Sequence, residues 1–447
     1  MTADEATWRF VDEHLKDDVR QLALKKSKYN GIDFEFALQQ IQGRQKTRDK
    51  LPTLCTIPRF GFPPTLALEQ CSSEQTAQYK LLVINNMLRR DGAFPVSIGN
   101  ASELCCRDAI HCVSTVNATE MYCTDVPWRV STVKNGKTFA DLTGGFGIDT
   151  LFLSNLFETC HYVEPQQTLC DIMAYNSKLM HLDHIQIHQA TMENFIQEMD
   201  GVEVIYVDPS RRNNQGSRVV GLEDCMPNVL LYKDLLLRKC DLLMLKLSPM
   251  LDIKRALIQL PETAEIHVVA VEGECKELLF LLDKSKSEAV RFVAVNLKNG
   301  KIEKFCFTAQ EETEALPMYA QEVKKYLYEP NAAIMKAGAF KSVAMRFGLE
   351  KLHSHTHLYT SDTLLDNFPG RCFQVLRLLN VKDAMLLKNE ISKANVSVRN
   401  FPLSADELRK KLKLADGGDV YLYGTTIAKE QKVVIQCLRI KDTCQTC

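Results

Sequence analysis

The stretch KTFADLTGGFGIDT, Lys137 to Thr150, decides how the rest of the chain is read. A β-prone run ends in Asp141, glycines follow at Gly144, Gly145 and Gly147, and an apolar run of helical spacing, IDTLFLSNLF, begins at once. The pattern predicts a strand, a glycine turn and a helix. In an open parallel sheet, ligands bind beyond the carboxyl ends of the strands. Glycines at such an end let backbone approach a ligand and adopt positive φ. The spacing narrows the ligand. A dinucleotide fingerprint reads G-x-G-x-x-G; Gly145 and Gly147 supply its first two positions, but Thr150 stands in the third. No G-K-[ST] follows, so the turn is no P-loop. Thr150 and Asp141 together disfavour a nicotinamide-dependent oxidoreductase.

Outward from this turn, β-rich runs alternate with helical ones between residues 137 and 305. The runs TFADL, CHYVEP, IQIHQA, VEVIYVDP, DLLMLKLS, IHVVAVEG and RFVAVNL read as strands, several apolar on consecutive residues as strands covered on both faces are. Between them IDTLFLSNLF, QTLCDIMAYNSKLM, NVLLYKDLLLRK, MLDIKRALIQL and ECKELLFLLDK read as helices. Strand–helix repetition of this kind predicts an α/β fold with a doubly wound, Rossmann-like sheet.

The flanks differ in texture. Residues 1–90 carry apolar side chains at helical spacing, with Ser72 and Ser73 as N-cap candidates and a proline-rich irregular stretch, IPRFGFPPTLALEQ, between helices. Residues 91–136 read as an irregular insertion or linker holding four cysteines at spacings that fit no standard zinc site. Residues 310–447 read as a small α+β domain, in which Ser404 and Glu407 form a capping box ahead of a helix.

With 447 residues the chain is long enough for two or three domains. Its 55 Lys and Arg against 56 Asp and Glu leave a net charge of -1, so any nucleic-acid surface must be a local patch. The polar N-terminus lacks a signal-peptide core, and no run is apolar enough to span a membrane. The 16 cysteines sit in apparent core segments and read as reduced thiols, which points to the cytoplasm. The terminal CQTC has no second pair at zinc-ribbon distance, and no metal is expected there. His353, His355 and His357 in HSHTH would share one face if the segment were a strand; a solvated polar face is expected. Arg399, Arg409, Lys410, Lys411 and Lys413 read equally as a phosphate-facing patch or as an ordinary amphipathic surface.

The other strand ends add polar groups. CHYVEP ends in Glu164, whose carboxylate can accept one hydrogen bond from each hydroxyl of a ribose diol. IQIHQA leads into Ala190, Thr191 and Met192, and VEVIYVDP ends in Asp208-Pro209, followed by Ser210 and Arg211. Lys246 lies inside DLLMLKLS, facing the pocket or reaching to solvent. Cys275 opens ECKELL, where a helix start would acidify a thiol and Glu272 and Glu274 would oppose it, so a buried small residue is the simpler reading.

Asp141, Leu142, Gly145 and Gly147 resemble motif I, D-L-x-x-G-x-G, of class I S-adenosylmethionine-dependent methyltransferases. The resemblance implies S-adenosylmethionine as cofactor, with Asp141, Thr143, Gly144, Gly145 and Gly147 beneath its amino-acid portion, Glu164 on its ribose and Thr191 beside its adenine. It implies a catalytic role for Asp208 and Pro209, which accept hydrogen bonds from the acceptor. Ser210 and Arg211 replace the second proline and the aromatic of that motif, so Arg211 would stack on a base or grip a phosphate or carboxylate. With LALEQCSSEQTAQYK, YVDPSRR, KLSPMLD and YLYEPNAAIMKAG, the chain looks like a bacterial methyltransferase family with a THUMP-like C-terminal domain. THUMP domains proper belong to RNA-modifying enzymes, so the resemblance implies tRNA or rRNA as acceptor. A methyltransferase for a small molecule or protein, or a non-catalytic RNA-binding protein retaining the fold, are the alternatives.

Overall fold

The computed structural model describes residues 3–90, 115–117, 134–210, 221–284 and 289–440. The readings made for Arg211, for most of 91–136 and for the terminal CQTC fall outside these residues.

The chain condenses into two compact units that are discontinuous in sequence. The first takes in the N-terminal helices, the strands of the first parallel sheet and the strand segment from Glu277; the second takes in the segment from Glu265 to Lys276 and the described chain after Glu288.

In the first unit, β1 (Gly136–Asp141), β2 (Phe157–Val163), β3 (Ile185–His188), β4 (Val202–Val207) and β5 (Cys240–Leu247) form a parallel sheet. β1 pairs with β2 on one side and β4 on the other; β3 follows β2, and β5 follows β4. The chain therefore reverses direction across the sheet between β1 and β4, which opens a crevice at their carboxyl ends. The helices α6 (Ile148–Leu153), α7 (Gln167–Leu179), α8 (Met192–Glu198), α9 (Val229–Lys239) and α10 (Ile253–Gln259) lie between or after these strands as the apolar spacing predicts.

One helix prediction fails. ECKELLFLLD is a strand, Glu274–Asp283, not a helix. After β6 (Thr263–Val271) it is β7, and from Leu278 to Asp283 it runs antiparallel to β5. Leu278, Leu279, Phe280, Leu281 and Leu282 are all fully buried. A strand covered on both faces has no alternation, and its Glu, Lys and Leu content mimics a helix. Cys275 consequently sits in a strand. Burial pushes its thiol up to about 11, and its Sγ donates to the Ala332 carbonyl at 3.2 Å.

The N-terminal region belongs to the same unit. The first helical stretch breaks into α1 (Glu5–Glu13) and α2 (Val19–Ala23), capped by the side chains of Asp4 and Asp18. Then come α3 (Phe34–Thr47), α4 (Thr65–Gln70) and α5 (Glu74–Arg90). Ser73 caps α5, accepting from the Thr76 N–H at 3.2 Å. The segment before α4 is irregular, as its prolines require, but Thr65–Gln70, expected to be irregular with it, is the helix α4. The irregular segment carries Phe60 and Phe62, both fully buried, within about 6 Å of the Phe146 ring in the glycine turn. The fully buried Asn176 of α7 fastens it reciprocally: its Nδ2 donates to the Gly61 carbonyl at 2.9 Å, and its Oδ1 accepts from the Gly61 N–H at 2.8 Å.

In the second unit, β6 pairs in parallel with β8 (Arg291–Lys298), and β8 pairs antiparallel with β9 (Lys301–Thr308). A separate seven-stranded sheet has the order β11-β12-β10-β13-β16-β15-β14. Its strands are β10 (Tyr326–Pro330), β11 (Glu350–His353), β12 (Thr356–Ser361), β13 (Gly370–Leu379), β14 (Asn395–Arg399), β15 (Val420–Ile427) and β16 (Gln431–Ile440). The expected capping box is present on the helix Ala405–Leu412. HSHTH is a hairpin, not one strand: His353 ends β11, His355 lies in the turn and His357 is in β12. His353 meets Glu430 at 2.8 Å, while His357 stacks on Phe340 with ring centroids 3.6 Å apart.

Among the described residues all ten cysteines are free thiols, and no helix is long and apolar enough to cross a membrane.

Asn176→Leu strands the buried amide and carbonyl of Gly61. A loss of about 2–4 kcal/mol is expected in urea denaturation, against less than about 1 kcal/mol for a substitution at an exposed position of α7.

Candidate active site

The glycine turn is built by its neighbours. Gly144 donates its N–H to the Val163 carbonyl of β2 at 2.9 Å, and a Cβ on it would lie 2.3 Å from the Tyr162 ring. Gly147 combines a φ of +83° with Met173 Sδ 2.6 Å from where its Cβ would stand. These two glycines make room for the protein itself. Gly145 is different: its φ is +54°, and only backbone at 3.8 Å stands near its missing Cβ. The Tyr162 hydroxyl beneath donates to the Gly145 carbonyl at 2.5 Å. The approach to the turn is therefore open at Gly145.

Glu164 follows β2 and is largely buried. Its Oε2 accepts from the Gly145 N–H at 3.0 Å, and its Oε1 from the Gln166 N–H at 2.9 Å. Each oxygen retains a lone pair. Burial pushes the carboxyl up, and these two N–H donors oppose the shift.

Asp141, 1% exposed, organises the turn from below. Its Oδ1 accepts from the Thr143 N–H at 3.0 Å, and its Oδ2 from the Thr150 hydroxyl at 2.6 Å. That bond explains a threonine where a dinucleotide turn carries glycine. Burial raises the Asp141 carboxyl to about 7 despite both bonds, with Asp149 and Asp208 adding to the rise. Thr143 Oγ1 accepts from the Asp208 N–H at 2.7 Å and so ties the turn to the end of β4.

At that end Asp208 is half-buried, Pro209 is buried, and Ser210 exchanges backbone hydrogen bonds with Met226. Asp208 Oδ2 accepts from Lys246 Nζ of β5 at 2.5 Å. Lys246 also donates to Ser72 Oγ at 3.1 Å. Burial would lower the Lys246 ammonium, but Asp208, Asp149 and Glu277 outweigh it and hold the group above its usual range.

Ser72 leads into residues that sequence reasoning did not assign to the site. Its hydroxyl donates to Asp149 Oδ2 at 2.7 Å and accepts from Lys80 Nζ at 3.1 Å. Lys80, from α5 and fully buried, also reaches Asp149 Oδ1 and Glu277 Oε2, each at 3.0 Å. The Tyr206 hydroxyl adds a bond to Asp149 Oδ2 at 2.7 Å. Burial opposes ionisation of Asp149, yet Lys80 and Lys246 bring its carboxyl down to about 2. Glu277 moves the other way, pushed up by burial, and its Oε1 has no hydrogen-bond partner among the described residues. The one sequence signal for this network was Lys80 itself, a charge set between Tyr79 and Leu81 in an otherwise apolar stretch.

The structure thus brings Asp141, Thr143, Gly144, Gly145, Gly147, Glu164, Asp208 and Pro209 to neighbouring strand ends. Thr191 is exposed, and its Oγ1 caps α8 through the Asn194 N–H at 3.4 Å; Met192 is core. Arg211 is outside the described residues.

A glycine turn after β1, an acid after β2, an acid after β4 and an antiparallel β7 beside β5 define a methyltransferase-type Rossmann-like fold. The whole chain bears this out. A protein of Porphyromonas gingivalis W83, provisionally described as a methyltransferase, shares 30% identity over 99% of this chain and 100% of its own, with a TM-score of 0.78. The chain belongs to that protein's family, whose C-terminal part is THUMP-like. Residues 326–369 match a ferredoxin-like domain family, and residues 370–439 match a family described as THUMP domain-like. A methyltransferase-described protein of Streptococcus mutans in complex with SAH covers 34% of this chain and 90% of its own at 13% identity and a TM-score of 0.27. An rRNA methylase from Streptococcus thermophilus covers 35% and 91% at 14% and 0.27. Overlaps this partial carry no weight for function. No curated protein matches the chain.

The pH dependence of stability follows from the two shifted aspartates. Asp141, raised from 3.8 to about 7, favours the folded state in its protonated form; that contribution is complete below 3.8 and is lost as pH rises through 7. Asp149, lowered to about 2, contributes above 3.8 and loses its contribution as pH falls through 2. Thermal melts from pH 5 to 8 are expected to fall for the parent. For Asp141→Asn they should be flatter, with the variant melting higher than the parent at pH 8.

Proposed function

We propose that the protein transfers a methyl group from S-adenosylmethionine to RNA. The observation that supports the cofactor most directly is Glu164. Its two oxygens are pinned by backbone N–H groups of the glycine turn and of the next helix, and each keeps a lone pair for one hydroxyl of a ribose diol. The open backbone at Gly145 fits a ligand passing over the turn, and the cradle thus suits the cofactor. When bound, the cofactor supplies the electrophilic methyl of its sulfonium.

The chain's own residues position the acceptor. Lys246 fixes one oxygen of Asp208, and Thr143 fixes the Asp208 backbone. The other carboxylate oxygen and the neighbouring backbone carbonyl then accept N–H or O–H hydrogens of the acceptor, aiming its lone pair toward the turn. Methyl transfer is an in-line displacement in which such positioning supplies most of the rate. RNA as acceptor is supported by the THUMP domain-like match at residues 370–439.

Calorimetry with S-adenosylmethionine tests the first half. The parent should bind, and Glu164→Gln should weaken binding about tenfold, the effect of replacing a charged acceptor by a neutral one. No binding by the parent would end the proposal. For the acceptor, Asp208→Asn should keep cofactor affinity and lose at least about a hundredfold in transfer of labelled methyl to RNA from a strain lacking this gene. Undiminished transfer would make Asp208 structural.

A further inference from the structure

The C-terminal unit holds a second arrangement of charges, apart from the residues assigned to methyl transfer. Its centre is Glu329 of β10, 2% exposed. Its Oε2 accepts from Arg371 Nε at 2.8 Å, from Arg371 Nη2 and from the Tyr423 hydroxyl at 2.9 Å. Its Oε1 accepts from Arg399 Nη2 at 2.7 Å. Arg371 stands opposite Glu329 on the adjacent strand. Arg399 does not: β13, β16 and β15 separate its strand from β10. In a flat sheet that is about 19 Å, beyond the reach of an arginine. The sheet must curl to close this bond, and Thr356 Oγ1 of β12, donating to the Thr426 carbonyl of β15 at 2.7 Å, shows the same closure.

Burial of one carboxylate calls for one cation. Here there are two, and among the described residues neither arginine contacts a second carboxylate. The two arginine side chains are 39% and 37% exposed, so neither is consumed by the core. Arg399 Nε is buried without a hydrogen-bond partner, and Arg399 Nη1 donates only to the carbonyl of its own neighbour Val398 at 3.0 Å. Because the two side chains grip opposite oxygens of one carboxylate, both guanidiniums are anchored at Glu329 and leave a surplus positive charge. Planar forks held in advance suit the oxygens of a phosphate and lose little side-chain entropy on binding it.

We propose that Arg371 and Arg399, set by Glu329, form a clamp for a backbone phosphate of the RNA. The clamp rests on the reading of RNA as the acceptor.

The test uses the full chain and fluorescently labelled bulk tRNA, titrated across a series of salt concentrations. The double variant R371Q/R399Q should bind at least about tenfold more weakly at physiological salt, the loss of two charged hydrogen-bond donors. Its log–log salt slope should be shallower by about 0.7–0.9, the contribution of one phosphate contact. S-adenosylmethionine affinity by calorimetry should not change. Removing the terminal phosphate of the RNA should leave parent binding intact, and loss of binding on its removal would overturn the backbone assignment. Equal affinity and slope in parent and double variant would overturn the clamp and leave the RNA reading standing. An absence of salt-dependent tRNA binding by the parent would overturn both. Should the glutamine variant fail to fold with Glu329 left uncompensated, R371K/R399K keeps the charges and removes the forks. It should bind several-fold more weakly than the parent, and parental affinity in it would overturn the clamp.

Discussion

The first unit is organised around ammonium groups taken out of water. Lys80 is fully buried, and a buried cation is tolerated only when its hydrogens meet acceptors and its charge is matched. Its partners come from separate places in the chain: Ser72 before its own helix, Asp149 after the glycine turn and Glu277 on the antiparallel strand. Lys246 extends the same network to Asp208. Two ammonium groups face three carboxyls, and the upward shift of Glu277 moves the balance toward two charges of each sign. A buried ionic network contributes little net stability compared with apolar packing of the same volume. What it imposes here is geometry. The placement of α5 against the ends of β4, β5 and β7 gives Lys80 three acceptors, and through Ser72 and Lys246 the same network fixes one oxygen of Asp208.

The parallel sheet was legible because its strands and helices repeat with different periods, and the glycine turn because Asp141, Gly145 and Gly147 stand at fixed offsets. Thr150 was read only as a departure from the dinucleotide glycine; its positive role, a hydroxyl for Asp141, needed the fold. β7 was misread because five consecutive fully buried side chains, Leu278 to Leu282, show no period at all. Whether His353, His355 and His357 share one face stayed conditional on a strand, because nothing in HSHTH marks the turn at His355. The Lys80 network was illegible for a plainer reason: Lys80 and Glu277 are 197 positions apart, and no local rule links them.

The glycine turn shows how a motif's residues divide their work. Gly144 yields to the Tyr162 ring and Gly147 to Met173, so both answer to internal packing. Only Gly145 leaves its surroundings open, and there Tyr162 and Glu164 hold the carbonyl and the N–H of the same residue. The C-terminal sheet repeats the principle. One buried carboxylate, Glu329, draws together strands that a flat sheet would keep apart, and closure leaves two guanidiniums displayed.

The reciprocal bonds between Asn176 and Gly61, with Phe60 and Phe62 against Phe146, alter what should be regarded as the minimal folded unit. A fragment cut at the start of β1 would keep every residue of the glycine turn. It would also bare the Phe146 face, leave both hydrogen-bonding groups of Asn176 unanswered and deprive Asp149 and Glu277 of the Lys80 cation. The helices ahead of the sheet are thus its missing wall, and a domain boundary drawn at the first strand would divide a single core.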